Sequence, residues 1–243
     1  MKVVAIIQAR MGSSRLPGKV LRDIQGQSML GRVVNRVRRA RSIDEVLVAT
    51  TDCSADDPIV QECRRCSVPV FRGNEDDVLD RYLRAAQWTN AEVVVRITAD
   101  CPLIDAEITD KTVRAFLAER PDYASNVMVR TYPRGLDTEV ITVPTLEGAW
   151  RNADQPHQRA HVTPYIYEHP DNFRLLSVTG DIDYSQHRWT VDTAADLEFV
   201  RAIYARLEKR PEFLWRDVLA LLEREPELIE INRSVPQKAL HAG

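Results

Sequence analysis

No run of apolar residues in this chain approaches the roughly 20 needed to cross a bilayer, which excludes a membrane-spanning helix. Charge of one sign is missing too. Lys and Arg total 33 against 36 Asp and Glu, a formal net charge of −3, so no overall field draws the chain to nucleic acid or a membrane. The five arginines within 32–41 have no aromatics interleaved and are expected to form a solvated helix face rather than a nucleic-acid patch. Cysteine is scarce, at four. The Cys63–Cys66 pair has no second CxxC or His pair to complete a zinc site, and it does not follow the first strand as a thioredoxin-like motif would. Nothing resembles a signal peptide, because a strand begins directly after Met1-Lys2. A cytoplasmic protein with reduced thiols is expected. Internal repeats and low-complexity segments are absent. So are the two commonest phosphate loops, GxxxxGK[ST] and GxGxxG.

What is present begins at once. Val3–Ile7 reads as a buried strand and runs into Gln8-Ala9-Arg10-Met11-Gly12-Ser13-Ser14-Arg15-Leu16-Pro17-Gly18-Lys19. Three fixed cations in a Gly- and Ser-containing loop at the C-terminal end of a strand are suited to a polyphosphate. Ligands of open α/β sheets bind at that edge, glycine lets backbone N–H groups approach, and Arg and Lys neutralise the charge.

Strands and helices then alternate. Helices are predicted at 27–41, 56–66, 76–88 and 105–119, and strands at Glu45–Thr50, Val68–Phe71 and Glu92–Thr98. This βαβ series predicts an α/β fold with a mixed, mostly parallel sheet and helices on both faces. The second half is less regular. Strands are expected at Tyr123–Val129, Leu136–Val143, Phe173–Val178 and Arg188–Val191, and helices near 144–153, 157–168 (interrupted by Pro164), 194–209 and 213–224. One domain over 1–225 is expected, with a β-rich subregion at about 123–190 and a polar surface tail at 226–243.

Two further segments carry chemistry. In Arg96-Ile97-Thr98-Ala99-Asp100-Cys101-Pro102, Asp100 follows an apolar strand and points toward the first loop. It is either a Mg²⁺ ligand or the cap of the next helix. In Arg188-Trp189-Thr190-Val191-Asp192-Thr193, Asp192 is either a cap or a second metal ligand, with Asp196 one turn on. Asp77 and Arg81 stand one helical turn apart and are expected to pair. Asp137 and Glu139 share one side of a strand. His161 is a lone histidine, and such residues are more often structural than catalytic.

With these segments in place the chain resembles the cytidylyltransferases that activate acidic sugars, the acylneuraminate and 3-deoxy-manno-octulosonate (Kdo) enzymes. It is most similar to the branch called the spore-coat-polysaccharide F family. The resemblance rests on Gln8–Lys19, Arg72–Arg81, Arg96–Asp105, Gly135–Val140, His161–Tyr167 and Trp189–Leu197. It implies a nucleotide-diphospho-sugar transferase-like (Rossmann-like) fold whose β-rich excursion builds a homodimer. It also implies a Mg²⁺-dependent coupling of CTP to a small anionic acceptor for a surface polysaccharide, with release of pyrophosphate. Asp100 and Asp192 become the implied metal ligands, and Arg10, Lys19 and Asp100 the catalytic groups. Gln8, Ala9, Arg10, Gly12, Ser13, Arg15, Lys19, Thr51, Arg96 and Asp100 are expected to bind the nucleotide. Arg10, Arg15 and Lys19 would hold the β- and γ-phosphates, and Thr51 would lie near base or ribose. Arg134, Asp137, Glu139, His161 and Arg188 are expected around the acceptor, although the second half differs from that of the Kdo and sialic acid enzymes. The rival activities are a sugar-phosphate nucleotidyltransferase using UTP or GTP, a glycosyltransferase of related fold, and a non-catalytic sugar-nucleotide-binding homologue. The first rival usually opens with a glycine pair, absent here. The second usually carries a DxD, for which only Asp181-Ile182-Asp183 fits the letters.

Overall fold

The computed structural model describes residues 1–210 and 212–237. Four parallel strands form half of its sheet: β1 (Val3–Gln8), β4 (Glu45–Thr51), β5 (Val70–Gly73) and β6 (Val93–Thr98). Two short strands, β2 (Asp23–Ile24) and β3 (Gln27–Ser28), make a separate hairpin ahead of α1 (Met29–Val37). The other half of the sheet comes from β7 (Tyr123–Ser125), β8 (Glu139–Thr142) and β9 (Leu175–Ser177), in the overall order β5-β4-β1-β6-β8-β7-β9. Strand β8 runs antiparallel to both of its neighbours, and β9 pairs parallel with β7.

Burial on both faces follows from the apolar strands. Val3, Ala5 and Ile7 point to one side, where α1, α2 (Asp57–Arg65) and α4 (Ala106–Glu119) cover them. Val4 and Ile6 point to the other, against α3 (Val78–Trp88), α5 (Val143–Asn152) and α7 (Pro164–Glu168). This alternation is the period-2 geometry of a strand covered on two sides. A third cluster gathers α8 (Ala194–Arg206), α9 (Trp215–Arg224) and α10 (Glu227–Glu230) around Trp189 and Leu136. The remaining helix, α6 (Pro156–His161), is separated from α7 at Pro164, as the proline foretold.

Several expectations are corrected. Arg188–Val191 is not a strand; it makes a single bridge, Arg134 to Arg188, and its other bonds go to a loop. The arginines of 32–41 are not simply solvated. Arg32 and Arg36 lie over the rings of Tyr204 and Phe213, each 4.5 Å from the centroid, and so help dock the third cluster. Asp77 caps α3 and pairs with Arg159, while Arg81 donates to the carbonyl of Asn74. Cys63 is buried in the core, where burial pushes its thiol up to about 12. The expected tail is structured at its start, because α10 packs Leu228 into the third cluster. Residues 238–243 lie outside the described residues.

Two glycines differ in what they demand. Gly135 has φ +110°, and a Cβ there would sit 2.7 Å from the backbone of Trp189 and Thr190. Gly148, inside α5, has nothing within 4 Å. Gly135→Ala is expected to lower unfolding free energy by about 2–4 kcal/mol in urea titration. Gly148→Ala is expected to raise it by about 0.5–1 kcal/mol. Equal effects would contradict the close approach at Gly135.

Candidate functional site

The sheet brings the first loop and Asp100 together by register. Gln8 pairs with Thr98 across β1 and β6, and the Ala99 N–H donates to the Gln8 carbonyl at 3.0 Å. The two strands therefore end side by side, with the loop from Ala9 on one and Asp100 on the other. The segment holding Asp192 is docked by the backbone of Asp100 itself. The Asp100 carbonyl accepts from Val191 N–H at 2.8 Å and from the Thr190 hydroxyl at 3.2 Å.

Lys19 closes the arrangement. The loop returns because Gly18, at φ +66°, takes a left-handed conformation and its N–H donates to the Met11 carbonyl at 3.1 Å. That geometry is cheap only for glycine. The next residue is then aimed inward. Lys19 Nζ lies 2.9 Å from Asp100 Oδ2, 2.8 Å from Asp192 Oδ1 and 2.8 Å from the Val191 carbonyl. An ammonium has three protons, and all three are used. Burial alone would lower the Lys19 pKa, but the two carboxylates outweigh it and raise it above its usual value. Burial likewise opposes ionisation of Asp100 and Asp192, but Lys19 with Thr98 at Asp100, and Lys19 with Arg188 and Arg15 at Asp192, outweigh it, so each is held below the usual carboxylate range. Arg15 and Arg188 share the other oxygen of Asp192, at 2.9 and 2.8 Å.

The helix-cap alternatives are thereby excluded. The cap of α4 is Asp105, which accepts from Glu107 and Ile108 N–H groups, and that of α8 is Thr193, in a capping box with Asp196. Asp100 and Asp192 are left to the site. Their donor set suits Mg²⁺, which takes one or two carboxylates together with phosphate oxygens. Asp100 Oδ1 is approached by the Cys101 thiol at 3.6 Å and the Thr98 side chain bonds the same carboxylate, which leaves further carboxylate lone pairs for a cation. Arg15, Lys19 and Arg188 balance Asp100, Asp192 and Asp196 in charge, so an arriving polyphosphate calls for added positive charge.

Other expected nucleotide contacts are redistributed. Arg10 is exposed and has no polar partner among the described residues, which leaves it open to a phosphate. Gly12 is exposed, and Ser13 Oγ accepts from the Leu16 N–H at 3.4 Å. The Ala9 N–H is taken by the Ala49 carbonyl. Thr51 does not face the cleft: it is 1% exposed and its hydroxyl donates to Asp56 at 2.6 Å. Arg96 is neutralised by Glu139 and also donates to the Gln8 side chain at 3.2 Å.

The five expected acceptor residues fall into two clefts. Asp137, Glu139 and His161 line one of about 190 Å³, together with Arg96, Thr98 and Arg130. Arg134 and Arg188 line another of about 280 Å³ beside Trp189 and Asn232. Glu139 is 5% exposed and accepts from Arg96, Tyr123 and Thr163, so it builds the wall rather than presenting a free carboxylate. Arg188 is committed to Asp192 and Asp196. Arg130, which the sequence did not single out, grips Asp137 with both amino groups at 2.6 and 2.9 Å. Asp181-Ile182-Asp183 lies in an exposed turn where Asp183 accepts from the Ser185 N–H.

Asp56 was also missed. It is 2% exposed and accepts from the Met11 N–H at 2.7 Å, from both Thr50 and Thr51 hydroxyls and from the Thr51 N–H. It thus ties the first loop to the end of β4. It stands at the start of α2, yet its side chain makes no cap bond there.

The fold is that of the nucleotidyltransferases. The family model described as Cytidylyltransferase matches residues 4–218, and the chain belongs to that family. An uncharacterized protein of Methanocaldococcus jannaschii is 38% identical over 98% of each chain. The spore coat polysaccharide biosynthesis protein SpsF of Bacillus subtilis is 34% identical, covering 93% of this chain and 95% of its own. Among solved structures, a cytidylyltransferase from Leptospira borgpetersenii superposes with a TM-score of 0.92 at 34% identity, covering 98% of this chain and 100% of its own.

Asp56→Ala strands four donors, and is expected to cost about 2–4 kcal/mol of stability because buried groups left unpaired lose their desolvation compensation. Hydrogen exchange should show the Met11 amide losing protection. Wild-type protection there would contradict the anchoring role.

Proposed function

We propose that this protein transfers a cytidylyl group from CTP to a small anionic acceptor that feeds a surface polysaccharide, with Mg²⁺ held by Asp100 and Asp192. The observation that carries this is the convergence of Lys19, Asp100 and Asp192, with the exposed Arg10 in the loop that delivers Lys19, in a chain of the cytidylyltransferase family. The SpsF relative's name supports the polysaccharide destination. An acceptor oxygen attacks the α-phosphorus in line, and pyrophosphate leaves. Bound Mg²⁺ supplies Lewis-acid stabilisation of phosphate charge.

The chain's own groups do the rest. Arg10 and Arg15 attract the β- and γ-phosphates and offset the charge that develops on pyrophosphate. Lys19 keeps the two aspartates ionised and in place instead of holding phosphate directly in the ligand-free protein. The cleft lined by Thr98, Arg130, Asp137 and His161 opens next to Asp100 and receives the acceptor. The homodimer forms through the 123–190 region, where Val129 and Ile182 are 55% and 61% exposed. A cytoplasmic setting follows from the supply of CTP.

Thermal shift with CTP, UTP, GTP and ATP, each with and without Mg²⁺, tests the nucleotide. A ligand binding only the folded state stabilises it by RT ln(1 + [L]/Kd). A Mg²⁺-dependent shift selective for CTP is expected; a larger shift with UTP or GTP would contradict the proposal. Arg10→Ala should leave the unfolding midpoint unchanged and weaken CTP binding about 10- to 100-fold, the worth of one charge-assisted contact. Unaltered CTP affinity would remove Arg10 from the site.

A further inference from the structure

We propose that residues 226–237 form a positioning clamp on the Asp192 side of the site, acting through Asn232; its catalytic meaning rests on the function proposed above. After α9 the chain turns at Pro226, and Leu228, 2% exposed, anchors α10 in the third cluster. The following turn carries Asn232 beneath the 188–196 segment, where it is 4% exposed. Its amide nitrogen donates both to the Arg188 carbonyl and to Asp196 Oδ1, each at 3.0 Å.

Those two partners set the conformation of Asp192. Asp196 is fully buried and accepts from the backbone N–H groups of Asp192 and Thr193, both at 3.0 Å. It also receives Arg188 Nε at 2.9 Å. Arg188 in turn holds Asp192 Oδ2 at 2.8 Å, and its other amino group donates to Gln237 Oε1 at 2.6 Å. Backbone and carboxylate of Asp192 are therefore both gripped by groups that the C-terminal segment fixes. With Oδ2 taken by arginines, Oδ1 is turned toward Lys19 and the shared centre. Asn232 is a positioning residue, not a catalytic one.

The test compares Asn232→Leu, which keeps the approximate shape without the donor, with the milder Asn232→Ser. The control is Val93→Ala, a core cavity at the opposite end of the sheet. In ligand-free protein, the Asp192 and Thr193 amides are expected to exchange faster in both Asn232 variants and not in Val93→Ala at a comparable loss of Tm. In CTP-dependent pyrophosphate release, the half-saturating Mg²⁺ concentration should rise about 10-fold or more, as for other groups that orient metal ligands, with little change in KM for CTP at saturating Mg²⁺. Unchanged exchange in a folded Asn232 variant, or a response matched by Val93→Ala, would overturn the clamp. A wild-type protein inert toward CTP would instead defeat the proposed function, and the exchange comparison would still decide whether the clamp exists.

Discussion

The Lys19 ammonium, shared between Asp100 and Asp192, is the interaction on which the rest of this structure depends. It joins three parts of the chain far apart in sequence: the loop after β1, the end of β6 and the turn before α8. Without a cation between them, two partly buried carboxylates would repel, and burying an uncompensated charge is costly. With it, both stay ionised in a recess at the C-terminal edge of the parallel strands, where α/β sheets bind their ligands.

Much of the remaining architecture serves to deliver these three groups. Gly18 turns the loop so that Lys19 points inward, and Asp56 ties its first residues to β4. The Asp100 carbonyl docks the 190–191 backbone, and Gly135 lets that backbone approach where any side chain would clash. Arg188 and Asp196 then orient Asp192 from the far side. The site is thus pre-formed and neutral before a nucleotide arrives, and the loop that delivers Lys19 also carries the exposed Arg10.

The parallel half of the fold was legible in the sequence because local patterns were strong. The continuous apolar strands, the helical spacing of Val33, Val34 and Val37, and the turn chemistry of the first loop all agree with the structure. The positions of Asp100 and Asp192 were legible for the same reason, since each ends a short apolar run. What the sequence did not reveal was pairing over distance. The pairing of Lys19 with its two aspartates was hidden because they lie 81 and 173 residues away. Arg188–Val191 looked like a strand because its residue types suit one, yet its backbone bonds go to Arg134 and Asp100 singly rather than to a ladder. Arg36 looked solvated because nothing local announces the Phe213 ring beneath it. Asn232 lay in a polar stretch without periodicity, and only the packing of Leu228 shows why that stretch is ordered.

A double-mutant cycle on Lys19→Met and Asp192→Asn, read by urea unfolding, tests the shared cation most directly. If Lys19 holds the site together through Asp192, the double variant will be less destabilised than the sum of the singles, with a coupling of about 1–3 kcal/mol, as for residues in one ion-pair network. Additivity within about 0.5 kcal/mol, the behaviour of independent sites, would contradict the account.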